Sequence, residues 1–318
     1  MRIAILVASL LCAGLAHAQN YPARSVKVIV PWPPGQATDI VTRIVAEKLQ
    51  EALGQPFVID NKPGAAGTIG TIAVINSPPD GYTLLAASSG PVTILPVVQK
   101  LSYDPLVDLA PVSLTATGAF VLVTSPSFPA SNAREFVALL RANPDMYTFA
   151  SSGMGSTSHL VIELFNSMAQ IKSRHVPYKG SAPGLTDVMN GQVAYTLETV
   201  ASVIGHVKAG KLKALGLSTK KPAAVMPDLA SLAVAADLPD YDIGGWIGMA
   251  APRGTPRQIT ARVSAEIQRI VQIPEVKERL LAFGQNATAN TPDEMTTYIR
   301  AQQERFAAVA RVANIRLE

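Results

Sequence analysis

The chain of 318 residues has a single cysteine, Cys12, and it falls inside the first apolar stretch. Arg2, the apolar run from Ile3 to Leu15 and the small-x-small end Ala16-His17-Ala18 together have the form of a secretory signal peptide cut after Ala18. Leu10-Leu11 stand before Cys12 where a lipoprotein site needs a small residue, so a lipid anchor is disfavoured. Cleavage after Ala18 leaves no cysteine, which excludes disulfides, thiol nucleophiles and cysteine-bound metal. Beyond residue 18 no apolar run approaches the roughly 20 residues needed to span a bilayer. Export to the periplasm is the expected destination. Histidine is scarce as well: after His17 there are His159, His175 and His206, and no Gly-x-Ser-x-Gly elbow accompanies them. Basic runs and basic-aromatic arrays are missing, and the net charge of +4 falls by one with Arg2, which argues against nucleic acid. Aromatic residues make up 6% of the chain against 48% hydrophobic, so the interior must be aliphatic.

What is present is an alternation of short β-rich runs with helical patterns, the sign of parallel sheets with crossover helices. Strands are expected at 26–31, 57–60 and 82–87, with helices at 38–53 and 68–76 between them and the glycine loop 63–67 before the second helix. An apolar run at 120–123 opens a second series, with helices 131–142, 157–169 and 182–190 and strands 147–151, 174–178 and 193–197. The run 244–250 closes it, and helices 256–271, 274–283 and 292–312 return to the first series. About 300 mature residues exceed one ordinary hydrophobic core. Two domains are therefore expected, 19–121 plus 246–318 and 122–245, with strands crossing near 120 and near 248 as a hinge.

Two strand-to-helix loops carry the chemistry. Pro31-Trp32-Pro33-Pro34-Gly35-Gln36-Ala37-Thr38-Asp39 leaves the first strand and enters a helix, so unpaired N–H groups converge with the helix dipole behind them. Phe149 to His159 repeats the construction, with Ser156, Thr157 and Ser158 available to cap the helix or to hydrogen-bond a carboxylate. No lysine follows these glycines, as a phosphate loop requires, and Ser158 stands where a dinucleotide fingerprint wants glycine. A third loop, Val176-Pro177-Tyr178-Lys179-Gly180-Ser181, adds a ring face and a hydroxyl. His159 and Glu163 share a helix face, but two ligands without a third do not make a metal site. Asp39 and Glu198 are the carboxylates expected to reach the cleft, since ligands in open α/β sheets sit beyond the carboxyl ends of the strands.

These words, together with Asn61-Lys62-Pro63-Gly64, Pro79-Asp80-Gly81-Tyr82-Thr83-Leu84, Tyr103-Asp104-Pro105, His175-Val176-Pro177-Tyr178-Lys179-Gly180 and Lys208-Ala209-Gly210-Lys211-Leu212, run in order along the mature chain. The chain resembles the solute-binding proteins of tripartite tricarboxylate transporters, the Bug-type extracytoplasmic receptors. The resemblance implies an α/β fold like that of type II periplasmic binding proteins, two open-sheet domains joined by a two-strand hinge. It implies capture of a small organic carboxylate, aromatic acids and dicarboxylates among them, for delivery to membrane permease subunits by a monomer with no cofactor, no metal and no catalytic residue. A receptor that reports its ligand to a membrane sensor kinase is the alternative. An exported enzyme is disfavoured for want of a nucleophile-base pair. Carried over, the family's carboxylate loops fall on Gly35, Gln36, Ala37, Thr38 and Asp39 and on Ser156, Thr157, Ser158 and His159; Trp32, Ser88, Ser89, Tyr178, Gly180 and Glu198 complete the expected ligand set. Members usually have a second glycine at Gln36 and often Asp-Asn at Glu198-Thr199, so the identity of the solute does not carry over.

Overall fold

Strand β1 (Val26–Val30) is buried at every position except Lys27, the pattern of a parallel strand covered on both faces. It pairs in parallel with β2 (Phe57–Asn61) on one side and with β3 (Thr83–Ser88) on the other in this computed structural model, which describes residues 21–312. The expected signal peptide, with Cys12, lies outside the described residues.

Helix α1 (Ala37–Leu53) buries Val41, Ile44, Val45 and Leu49, spaced three and four apart, in the cluster that holds Val28 and Val30. Burying four such side chains contributes roughly 1.5–3 kcal/mol each. The helix stops at Gly54, whose left-handed backbone returns its N–H to Gln50 O. Helix α2 (Thr68–Ile75) covers the other face, placing Val74 with Ile29 and Leu85.

The element that unites the fold is β4 (Leu109–Thr124), a strand of 16 residues. Its first part pairs with β9 (Gly244–Pro252) and β10 (Gln285–Ala287); from Phe120 onward it pairs with β7 (Tyr195–Thr199) and β8 (Lys213–Leu217). Parallel strands β5 (Thr148–Ser151) and β6 (Arg174–Pro177) extend the second half, giving the order β2-β1-β3-β9-β4-β7-β5-β6 with β8 and β10 attached to β4. Two open α/β lobes thus share one continuous strand. The chain passes between them at Ala119–Phe120 and returns at Ile243–Gly244, where Ile243 still bonds Ser218 and Gly244 already pairs with Ala119. The return therefore falls before the expected position near 248.

The second lobe is packed by α3 (Ala133–Ala142), α4 (Thr157–Met168), α5 (Ser181–Met189) and α6 (Val200–Lys208). The C-terminal helices α7 (Arg257–Ile270), α8 (Pro274–Ala282) and α9 (Pro292–Val312) return to the first lobe, burying Val263, Ile267, Val276 and Leu280 there. Phe306 and Ala310, late in α9, instead join the cluster of Phe120, Phe149 and Tyr195, so this helix also binds the lobes together.

Candidate functional site

The strand ends and helix starts of both lobes meet at a cavity of about 70 Å³, enough for a few water-sized groups. On the first lobe, α1 begins at Gln36, whose extended backbone caps the helix while its side chain does not. The first-turn N–H groups accordingly have no side-chain cap from Gln36, and Gln36, Ala37 and Thr38 line the cavity. Trp32 lines it too, its indole N–H fixed on Ser88 Oγ at 2.9 Å, and Ser89 Oγ accepts the Trp246 N–H at 2.8 Å.

Gly35 and Asp39, expected as ligand contacts, do not line the cavity: Gly35 is exposed and Asp39 is buried. The Gly35 N–H donates to Asp39 Oδ2 at 2.9 Å, so it is already satisfied from within the loop. Asp39 also accepts from Asn61 Nδ2 at 2.9 Å and from Arg43 Nε at 3.0 Å, and it is 3% exposed. Burial works to raise its pKa, but the Arg43, Gly35 and Asn61 hydrogen bonds prevail and hold the carboxyl below its ordinary range. This acid fastens the loop: Asn61 donates onward to Trp32 O at 3.0 Å and so ties the first two strand ends together.

On the second lobe, Thr157 and Ser158 line the cavity, whereas Ser156 is buried as the N-cap of α4, its Oγ accepting the His159 N–H at 3.3 Å. Ser158 Oγ receives the Ser152 N–H at 3.0 Å and lies 2.9 Å from Ser152 Oγ. His159 turns inward: Nδ1 accepts the Gly155 N–H at 3.1 Å, Nε2 lies 3.5 Å from Glu163, and the ring stacks on His175 with centroids 3.9 Å apart. Tyr178 gives its hydroxyl to Asp187 rather than to the cavity; burial, then Asp187, pushes its phenol up to about 12. Gly180 does not line the cavity but marks a close approach of the lobes, because a Cβ there would stand 3.0 Å from Pro33 Cγ and 3.1 Å from Gln36 Nε2.

Glu198, one residue before the end of β7, lines the cavity and is 3% exposed. Its Oε2 accepts from Ser181 Oγ at 2.9 Å and, at 3.4 Å, from the Thr199 N–H, while its buried Oε1 has no partner. Burial outweighs the surrounding hydroxyls of Ser181, Ser158 and Ser152 and the Thr199 N–H, and pushes the carboxyl up to about 7. Ser181 Oγ in turn accepts from Gln36 Nε2 of the opposite lobe at 3.2 Å.

Several lining residues were not anticipated. Ser152 and Ser181 sit inside or beside the loops quoted above, so their type and place were available signals. Gly118, Phe120, Gly245 and Trp246 line the cavity because both lobe-to-lobe passages run beneath it. Gln285 reaches it from β10 with no local motif to announce it. Among the described residues, no group of three His, Cys, Asp or Glu is placed to hold a metal.

A cleft between two open-sheet lobes, floored by the crossing strands and rimmed by helix starts, defines a periplasmic-binding-protein fold of type II. The chain belongs to the tripartite tricarboxylate transporter family receptors, whose pattern it matches over residues 41–315. It is 36% identical to Protein BugT of Bordetella pertussis over 99% of this chain and 97% of that one. Among solved structures it is similar to Rpa4515 of R. palustris with adipate, at 31% identity and a TM-score of 0.90 over 93% of this chain and 99% of that chain. MatC of Rhodopseudomonas palustris with bound malate is similar at 30% identity and a TM-score of 0.85, over 91% and 99% of the two chains. The family is one of solute receptors, as the sequence resemblance implied.

Proposed function

We propose that the protein is a periplasmic receptor that closes its lobes, 19–121 plus 246–318 and 122–245, on a small organic carboxylate. It then hands the guest, as a monomer and without covalent chemistry, to the membrane subunits of a tripartite transporter. The observation that carries this reading is that two helix starts from opposite lobes, at Ala37-Thr38 and at Thr157-Ser158, face one cavity rich in hydroxyls. Closure replaces the guest's water with N–H and O–H donors in a low-dielectric space. Each charge-assisted hydrogen bond is worth about 1.5–3 kcal/mol, so two or three, less the loss of freedom on closing, suit micromolar affinity. The adipate and malate held by the two relatives support a carboxylate guest.

A thermal-shift screen of dicarboxylates, aromatic acids, acidic amino acids and neutral amides tests the reading, since a ligand selective for the folded form raises Tm. A rise confined to acids supports it. No rise with any acid, or a rise with neutral amides alone, rejects it.

A further inference from the structure

Within the family, a buried acid at the base of a cavity meant for anions is an electrostatic contradiction, and Glu198 resolves it only in one protonation state. It is the ionisable side chain among the described residues that line the cavity; the others are hydroxyls, amides, glycines and apolar groups. The elements packed around it present neutral groups: Val121 of β4 opposite in register, Ser152 before α4, Ser158 on α4, Ser181 on α5, and Thr199 and Ser202 at the start of α6. From the first lobe comes Gln36. The charged groups on those elements are engaged elsewhere. Glu163 pairs with His159 and Asp187 takes the Tyr178 hydroxyl, while His206 and Lys208 stand in the last turn of α6, opposite the end that meets Glu198. An ionised carboxylate left here without a cation would carry a heavy desolvation penalty.

The hydrogen bonds also say where a proton would sit. Ser181 accepts the Gln36 amide hydrogen and spends its own hydroxyl hydrogen on Glu198 Oε2, which takes a further contact from the Thr199 N–H. Oε1 is the oxygen without a protein partner. A proton on Oε1 turns it into a donor that needs an acceptor from the guest.

We infer that Glu198 acts as a neutral carboxyl in the closed cleft, donating from Oε1 to an ionised carboxylate of the guest, so that anion and proton are held together and a guest presenting an ammonium at that end is refused. The inference rests on the carboxylate-receptor reading and narrows it to acids without an amino group beside that carboxylate. Burial already lifts the Glu198 carboxyl to about 7. A guest anion within hydrogen-bond reach raises it further, because two carboxylates in one dry site do not both ionise.

Calorimetric titration of the mature chain with adipate, malate and glutamate, between pH 6 and pH 9 in two buffers of unlike ionisation enthalpy, reads the proton directly. The expected result is that adipate or malate binds with proton uptake approaching one per guest at the alkaline end. Affinity then falls about tenfold per pH unit above the Glu198 value. Glu198→Gln, which keeps a donor at this position and cannot ionise, is expected to bind without proton uptake and with affinity independent of pH. Wild-type affinity that is flat or rises with pH overturns the inference, as does glutamate binding better than both diacids, or loss of binding by Glu198→Gln at pH 6. If none of the three acids binds, the receptor reading fails first. The infrared spectrum of the free protein still decides the protonation claim. A protonated-carboxyl C=O band at pH 6 that vanishes in Glu198→Gln supports it, and the absence of that band in the wild type overturns it.

Discussion

The side-chain amide of Gln36, on the first lobe, donates to Ser181 Oγ on the second at 3.2 Å, and the same hydroxyl continues to Glu198 Oε2 at 2.9 Å. The two lobes are thereby joined across the cleft through one serine. In the proposed closing motion this bond favours the closed form and contributes nothing to either lobe alone. Gln36→Ala is expected to weaken ligand binding by about twofold to tenfold, the equivalent of one neutral hydrogen bond, with Tm of the free protein nearly unchanged. Calorimetric titration beside a thermal melt checks both halves of this expectation.

Ser156 and Thr157 are neighbours with separable roles. Ser156 caps α4 from a fully buried position, whereas Thr157 lines the cavity. Ser156→Ala is expected to lower stability by about 1 kcal/mol, the usual cost of losing an N-cap, and to affect affinity mainly through the loosened helix start. Thr157→Ala is expected to leave stability within about 0.5 kcal/mol while weakening binding. Urea unfolding and titration of both variants would show the split; equal effects of the two on both measurements would refute it.

Glu198 makes stability fall as pH rises from 4.5 to about 7. Its folded-state carboxyl titrates at about 7 against an ordinary 4.5, so between those values the folded state holds a proton that the unfolded chain has lost. Stability is therefore fully present below pH 4.5 and falls as pH rises to about 7, by up to about 3 kcal/mol. Glu198→Gln removes this loss and is expected to be more stable than wild type at pH 8, with the advantage shrinking toward pH 5. Urea midpoints at the two pH values measure it.

His175 produces the opposite slope. Burial first, then the neighbouring His159, brings its imidazole down to about 3 from an ordinary 6.5, and the ring stacks on His159 at 3.9 Å and on Phe149 at 4.8 Å. The unfolded chain binds a proton here that the folded protein refuses, so stability falls as pH drops below 6.5 toward 3. His175→Phe keeps the stack, removes the titration and loses the 2.6 Å contact with Ser151 Oγ. It is expected to be less stable at pH 7 yet to lose less on acidification. Parallel slopes for wild type and variant between pH 7 and pH 4.5 would refute the assignment.

Much of this arrangement was legible from local pattern. The helix starts at Ala37 and Thr157, strands β1 to β3 and the C-terminal helices follow from apolar spacing bounded by Gly and Pro. The parts that escaped are those fixed by long-range pairing. The first half of β4 reads as a broken run around Pro111 and Gly118, and it is a strand because β9 pairs along it through two register shifts. Helix α6 contains Gly205 among β-branched residues, and β8 is five residues long; tertiary packing decides both. At the site, residue type identified Gln36, Thr157 and Glu198 as cavity residues, but not where Asp39 and His159 spend their hydrogen bonds. An acid in a first helical turn reads alike whether it faces a ligand or, as here, holds Gly35, Arg43 and Asn61. Ser181 stands in a loop that local pattern marks out, but its bridge from Gln36 to Glu198 exists only with the lobes folded against each other.

Gly180 shows how closely the lobes must approach. Its φ of +107° already disfavours any side chain, and an added Cβ would press on Pro33 Cγ and Gln36 Nε2 of the other lobe. Gly191 offers a matched comparison within the same lobe: its φ is +74°, and nothing stands within 4 Å of the position a Cβ would take. Alanine at Gly180, whose φ of 107° and ψ of 174° fall in a region that essentially only glycine occupies, is strained more than at Gly191, and only at Gly180 does the methyl also meet the other lobe. Gly180→Ala is therefore expected to bind at least about tenfold more weakly than Gly191→Ala, because each 1.4 kcal/mol taken from the closed form is a factor of ten in affinity. Small-angle scattering should show the ligand-induced contraction of wild type and Gly191→Ala, and a reduced contraction in Gly180→Ala. Equal affinities for the two variants would mean that Pro33 and Gln36 yield to the methyl, and that the lobes close without the tight contact at this point.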